Sequence, residues 1–231
     1  MNKSLITLLT VTAATAAWTN AATLAWTDSA FTNANQISNA GTQVAGYNFG
    51  TATSVTVNGA TFTGYSGAGA FTGSNFQPGN NSIIGDFNPA YSGNNVTGML
   101  AADELALLNN ANYANNGELT EFSGLTIGTQ YTAQLLLVDN RSSFTTRNMH
   151  ISKDSTTWGD LVVDYSSNGT PAYARLVETT FTADGTEQGF RWGIQNIGDY
   201  EGVALQLRAV PEPSSSALLA LGGIALLRRR R

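Results

Sequence analysis

His150 is the single histidine of the 231-residue chain. A serine–histidine–aspartate relay would need its imidazole within reach of a serine and a carboxylate. Met149 and Ile151 flank it, however, and strand alternation turns His150 to the face opposite those two apolar residues, outward to solvent. One imidazole cannot build a multi-histidine metal centre. The chain has no cysteine, which removes thiol catalysis, zinc fingers and iron–sulfur clusters. Glycoside hydrolysis needs two carboxylates facing each other across a cleft, and no local motif singles out such a pair. Oxygen-rich loop clusters occur at Asp86-Phe87-Asn88, Asp139-Asn140 and Asp184-Gly185-Thr186-Glu187. Their hard ligands suit calcium, but none follows the twelve-residue EF-hand pattern. Asp and Asn also serve turns for backbone reasons of their own. The expectation is therefore a non-enzyme with no resident cofactor, with calcium as the alternative.

Sugar recognition has the best physical case. Sugar faces stack on exposed aromatic rings, while Arg, Asp and Asn bond the hydroxyls. Trp158 follows a Ser-Thr-Thr loop and is the candidate platform; Arg141, Arg147 and Tyr165 are the accompanying candidates. Arg141 and Arg147 bracket a loop after a central strand, and they could equally pair with Asp139 and Asp154. Trp192, inside the alternating Phe190-Arg191-Trp192 run, reads as core.

The elements that must position these residues are almost all strands. Short runs of Val, Ile, Thr, Tyr and Phe are broken by Gly and Asn, the pattern of an all-β domain. One segment, Ala101 to Asn110, has helical character. Ser54 to Val57 and Ala60 to Thr63 flank Asn58-Gly59, the signal for a type I′ hairpin. Tyr131 to Val138 reads as a central strand whose Leu135-Leu136-Leu137-Val138 end is apolar on both faces and so requires cover on both sides. Strands are expected at Arg147 to Ser152, Leu161 to Tyr165, Ala174 to Thr182, Gly189 to Gln195 and Gly202 to Arg208. The last alternates in and out along Val203 to Arg208. Spacing of about ten residues favours a two-sheet jelly-roll or Greek-key sandwich. Gly124-Leu125-Thr126-Ile127-Gly128-Thr129-Gln130-Tyr131, a turn feeding an alternating strand, resembles strand entries of carbohydrate-binding-module and galactose-binding-like sandwiches.

The two ends read as addresses. Lys3, the apolar run Leu5 to Val11 and the small residues Ala13 to Ala22 form a secretory signal peptide, residues 1–22, with its cut expected between Ala17 and Ala22. Residues 23–209 form the β-sandwich domain. Residues 210–231 comprise Val210-Pro211-Glu212-Pro213, three serines, an apolar run from Ala217 to Leu227, and Arg228, Arg229, Arg230 and Arg231. That apolar run is short of the roughly 20 residues of a full span, which suits a transient transmembrane sorting helix, and the arginines resist translocation as a membrane stop. This tail resembles the PEP-CTERM signal of Gram-negative bacteria that make exopolysaccharide. The resemblance implies delivery by the Sec machinery, a transient stay in the inner membrane, and processing by exosortase near the Pro-Glu-Pro.

Between the ends lie 15 acidic and 6 basic residues, a net charge of about −9. Such a body does not track phosphate backbones, so nucleic acid is not an expected partner. The expected function is that of an exported matrix or biofilm surface protein, structural or associated with extracellular polysaccharide, secreted or held on the outer cell surface. Two alternatives are a calcium-dependent adhesive module and a polysaccharide-cleaving glycoside hydrolase or lyase.

Overall fold

The structure is a computed structural model, and it describes residues 22–66, 75–77, 85–92, 95–114, 119–141, 147–155, 159–165, 174–193 and 200–211. All but the last residue of the expected signal peptide 1–22, the sorting tail beyond Pro211, and Trp158 lie outside the described residues. In chain order the strands are β1 (Thr27–Ala30), β2 (Thr42–Phe49), β3 (Val55–Val57), β4 (Ala60–Tyr65), β5 (Phe76–Gln77), β6 (Gly85–Phe87), β7 (Ala111–Ala114) and β8 (Leu119–Ser123). They continue as β9 (Gln130–Leu137), β10 (Asn148–Ile151), β11 (Leu161–Asp164), β12 (Arg175–Thr182), β13 (Glu187–Gly193), β14 (Tyr200–Gly202) and β15 (Ala204–Val210). Among the described residues one α-helix, α1 (Ala101–Leu108), falls where the sequence places helical character.

These strands make a sandwich. A seven-stranded sheet runs β1-β12-β9-β15-β2-β4-β3 and faces a five-stranded sheet, β11-β10-β13-β8-β5; a small sheet, β14-β7-β6, closes one end. The Asn58-Gly59 hairpin forms as expected, with φ of 47° and 78° at its two turn residues, and joins β3 to β4. The Gly124 to Tyr131 entry is built as a corner. Leu125 and Tyr131 are buried, and the Thr126 N–H donates to the Tyr131 hydroxyl at 2.9 Å.

The seven-stranded sheet is covered on both faces, as the double apolar run predicts. Leu135 and Leu137 enter the core between the sheets, with Phe49, Phe76, Phe122, Phe181, Phe190 and Trp192. Leu136 and Val138 enter a second core on the other face, with Phe31, Ile37, Phe62, Tyr91 and Leu107. Each large side chain moved fully from water into such a core contributes about 1.5–3 kcal/mol. In β15 the alternation holds, but its outward positions are not solvated. Gln206 is 0% and Arg208 5% exposed, because the backbone of residues 36–41 lies over them. Gln206 Nε2 donates to the Ser38 carbonyl at 3.1 Å, and Gln134 Nε2 to the Gln36 carbonyl at 2.8 Å. The Ser38 N–H donates to Gln134 Oε1 at 2.9 Å. Polar side chains here bond the backbone of a covering strap, which leaves Gln206 Oε1 and Arg208 Nη1 without a partner among the described residues.

Candidate functional site

The topology gathers charge at one end of the sandwich. β9 runs out through Val138 into Asp139 and Arg141, Arg147 leads into β10, Tyr165 follows β11, and Glu201 is the middle residue of β14. The backbone fixes this frame. The Asp139 N–H donates to the Tyr165 carbonyl and the Tyr165 N–H to the Arg147 carbonyl, both at 3.0 Å, while the Asn140 N–H donates to the Pro89 carbonyl at 2.6 Å. Glu201 is set by pairing of β14 with β7, opposite Tyr113.

Within this frame two guanidiniums and two carboxylates interlock. Arg141 Nε donates to Asp139 Oδ1 at 2.8 Å and its Nη2 to Asp139 Oδ2 at 2.6 Å, the paired fork that suits a carboxylate. Arg147 Nε approaches Asp139 Oδ2 at 3.2 Å, and its Nη1 donates to Glu201 Oε1. Arg141 Nη2 also reaches Glu201 Oε1 at 3.3 Å. The Tyr165 hydroxyl donates to Glu201 Oε2 at 3.1 Å. The Asp139 side chain is fully enclosed, while Arg141 keeps 28% of its side-chain surface and Arg147 13%.

Burial dominates the electrostatics. It pushes the Glu201 carboxyl above its ordinary value; Asp139 adds to the rise, and Arg147 and Arg141 oppose it. The Tyr165 hydroxyl is also pushed well up, first by burial and then by the Glu201 charge. Hydrogen bonding to Asp139 raises the Arg141 guanidinium. A closed, neutral set of two cations and two anions results, with Arg141 as the member that reaches solvent.

Three of the four glycan candidates, Arg141, Arg147 and Tyr165, therefore meet at one place; Trp158 lies outside the described residues. Tyr165 is 2% exposed, so its ring faces the core and its role is to hold Glu201, which corrects the expectation that it meets a sugar. Asp139 pairs with both arginines as the sequence allows, and Glu201 is the second carboxylate. The sequence reading missed Glu201. Its one signal is an acid directly before the last strand, at a position no local spacing links to residue 141 or 147.

The remaining candidates are spread apart. His150 is half-buried on the outer face of the five-stranded sheet, between the core residues Met149 and Ile151, as alternation requires. Among the described residues no group of three or more His, Cys, Asp or Glu is arranged to hold a metal. Asp86 Oδ1 accepts from Asn112 Nδ2 at 2.7 Å. At Asp139 the guanidiniums occupy the places a cation would take.

The chain matches no curated protein. Among solved structures it is similar to a β-glucuronidase of Bacteroides uniformis, with 15% identity and a TM-score of 0.42 over 72% of this chain and 18% of that one. It is also similar to β-glucuronidase 2 of that organism, covalently bound to cyclophellitol-6-carboxylate aziridine, with 16% identity and a TM-score of 0.45 over 78% and 19%. The chain spans about a fifth of the length of those enzymes. Residues 209–231 match the PEP-CTERM protein-sorting motif. With its last strand running into that motif, this is an exported β-sandwich protein that carries a PEP-CTERM signal and is destined for exosortase after a transient stay in the membrane.

Proposed function

We propose that this protein is a non-enzymatic component of an extracellular polysaccharide matrix. On this reading the Sec machinery exports it, exosortase processes it, and it works around or on the outer surface of a Gram-negative cell. Its sandwich associates with glycan through the end that carries Arg141 and Arg147. The observation that carries the reading is the convergence of those two arginines with Asp139 and Glu201, Arg141 remaining reachable from solvent. Arg141, held by two carboxylates and reaching solvent, offers the kind of fixed donor that a polyhydroxylated ligand requires.

Charge narrows the ligand class. Each of the six bases of the body is committed to a protein acceptor: Arg141 and Arg147 in the cluster, Lys153 on Asp160, Arg175 on Asp28, Arg191 on the Ser155 carbonyl, and Arg208 on residues 39–41. A body of net charge about −9 with its cations so engaged favours an uncharged polymer over a polyanion.

The test is retention of the mature secreted protein on neutral and uronate-rich fractions of the producing organism's exopolysaccharide. Retention is expected on the neutral fraction and to fall about tenfold, or roughly 1.4 kcal/mol, in Arg141→Ala, assayed well below the melting temperature of that variant. Trp158→Ala should weaken retention in the same way. Equal retention of wild type and both variants would remove this end of the molecule from the proposal. Loss of retention on adding a chelator would put a calcium-dependent adhesive module in its place. Release of reducing sugar would make it a hydrolase.

A further inference from the structure

The sorting motif does not begin beyond the fold; it begins inside it. β15 is an interior strand of the seven-stranded sheet, hydrogen-bonded on one edge to β9 and on the other to β2. Ala209 and Val210, the first residues of the matched motif, are still paired with Tyr131 and Gln130. The strap of residues 39–41 lies across this end. Arg208 donates from Nε to the Ala40 carbonyl at 2.8 Å, and from Nη2 to the carbonyls of Asn39 at 3.1 Å and Gly41 at 2.8 Å. Gly41 has φ +70°, and a Cβ there would lie 2.0 Å from the Ala209 carbonyl oxygen and 2.9 Å from Pro211 Cδ. Only a residue without a side chain lets the strap close this tightly. Pro211 is the first exposed residue after the strand.

Enzymes that cut peptide chains act at exposed, locally openable segments. A backbone paired on both edges, as here up to Ala209, with Val210 still paired to Gln130, is not available to them. Six residues, 211–216, separate the strand from the apolar run at Ala217, and fully extended they reach about 20 Å. We propose that the folded sandwich sets the C-terminal boundary of the mature protein: processing is confined to peptide bonds between Pro211 and Ala217, and the Arg208 clasp is the positioning group that withholds everything upstream. In the step itself one backbone amide breaks. Its carbonyl carbon passes to water, or to a hydroxyl or amine acceptor, and the departing nitrogen takes the proton which that nucleophile gives up.

The experiment is intact-mass and C-terminal peptide analysis of the protein exported by a strain with its exosortase intact. C-termini of the wild type are expected only within residues 211–216; a terminus at Val210 or upstream would overturn the proposal. Arg208→Ala should add termini upstream of Pro211. Because that variant could lose its fold, a Gly/Ser spacer of six residues between Val210 and Pro211 tests the same claim on an intact sheet. The spacer should raise the processing rate in a pulse-chase severalfold and admit cuts within it. An unchanged rate with an unchanged cut would show that the sandwich does not limit access. These readouts do not involve polysaccharide, so they stand or fall separately from the glycan reading.

Discussion

Asp139→Asn isolates the energetics of the charged end. The side chain changes little in volume, but its charge is lost and Nδ2, a donor, is turned toward guanidinium donors. Asp139 is 0% exposed and is held by both arginines. Removing one member of a buried ion pair costs about 3–5 kcal/mol, because the partner is left buried and uncompensated. Arg141, with 28% of its side chain accessible, can turn to water and recover part of that loss. Arg147, at 13%, recovers less and falls back on Glu201 and Tyr165. The net cost is therefore about 2–4 kcal/mol. For a domain of this size each kcal/mol corresponds to about 2–4 °C, so the melting temperature of the mature protein should drop by roughly 5–15 °C. Urea unfolding supplies the free energy directly. Asp28→Asn is the internal control. It breaks the Arg175–Asp28 pair, whose side chains are 30% and 25% exposed, and pairs of that kind contribute less than about 1 kcal/mol. If Asp139→Asn cost no more than Asp28→Asn, the claim that enclosure makes this cluster matter would be wrong.

Two further outcomes follow from other parts of the molecule. Glu201 holds its proton more tightly when folded than its ordinary value of 4.5. Its contribution to stability is thus fully present below about 4.5 and lost as pH rises through the folded value. Melting temperature should rise as pH is lowered from 8 toward 5, and rise less in Glu201→Gln. Glu121, raised chiefly by burial and then by Glu187, works in the same direction and leaves a residual slope. An identical pH profile in Glu201→Gln would dismiss Glu201 as its source. At the N-terminal end, Trp26 is 8% exposed, donates from Nε1 to the Ser152 carbonyl at 2.9 Å and packs on the Phe190 ring at 5.2 Å. Trp26→Ala should cost about 3–5 kcal/mol by urea unfolding, and the secreted protein should keep both Trp26 and the buried Leu24 on N-terminal sequencing.

Period and turn chemistry made most of the fold legible. Asn58-Gly59 announces its hairpin because both φ angles must be positive, and Leu135 to Val138 announces a doubly covered strand because neither face tolerates water. Gln206 and Arg208 were misleading for a physical reason. Periodicity separates polar from apolar faces, but it cannot tell water from the backbone carbonyls of a strap some 168 residues away. The charged cluster was half visible. Asp139 and Arg141 are two residues apart, and that pair is local. Glu201 lies 60 residues from Arg141 and 54 from Arg147; only the pairing of β14 with β7 brings it in. Tyr165 looked like a sugar contact because an aromatic next to polar residues has the same composition whether its ring faces out or in.

The body's lack of cysteine and the position of β15 belong to one argument. An exported domain without disulfides is held by burial alone. Here burial is concentrated on β9 and β15, which pack into one core on each face. One of these two strands, β15, thus comes late in the chain and runs into the sorting signal. A chain exported from its N-terminus cannot close the seven-stranded sheet until residue 210 has emerged, since β2 and β9 have no other strand to join them. On the topology proposed for the tail, an apolar run that starts at Ala217 and ends in Arg228 to Arg231 holds the chain soon after that strand becomes available. The short spacing between β15 and the apolar run therefore ties completion of the fold to arrival at the membrane.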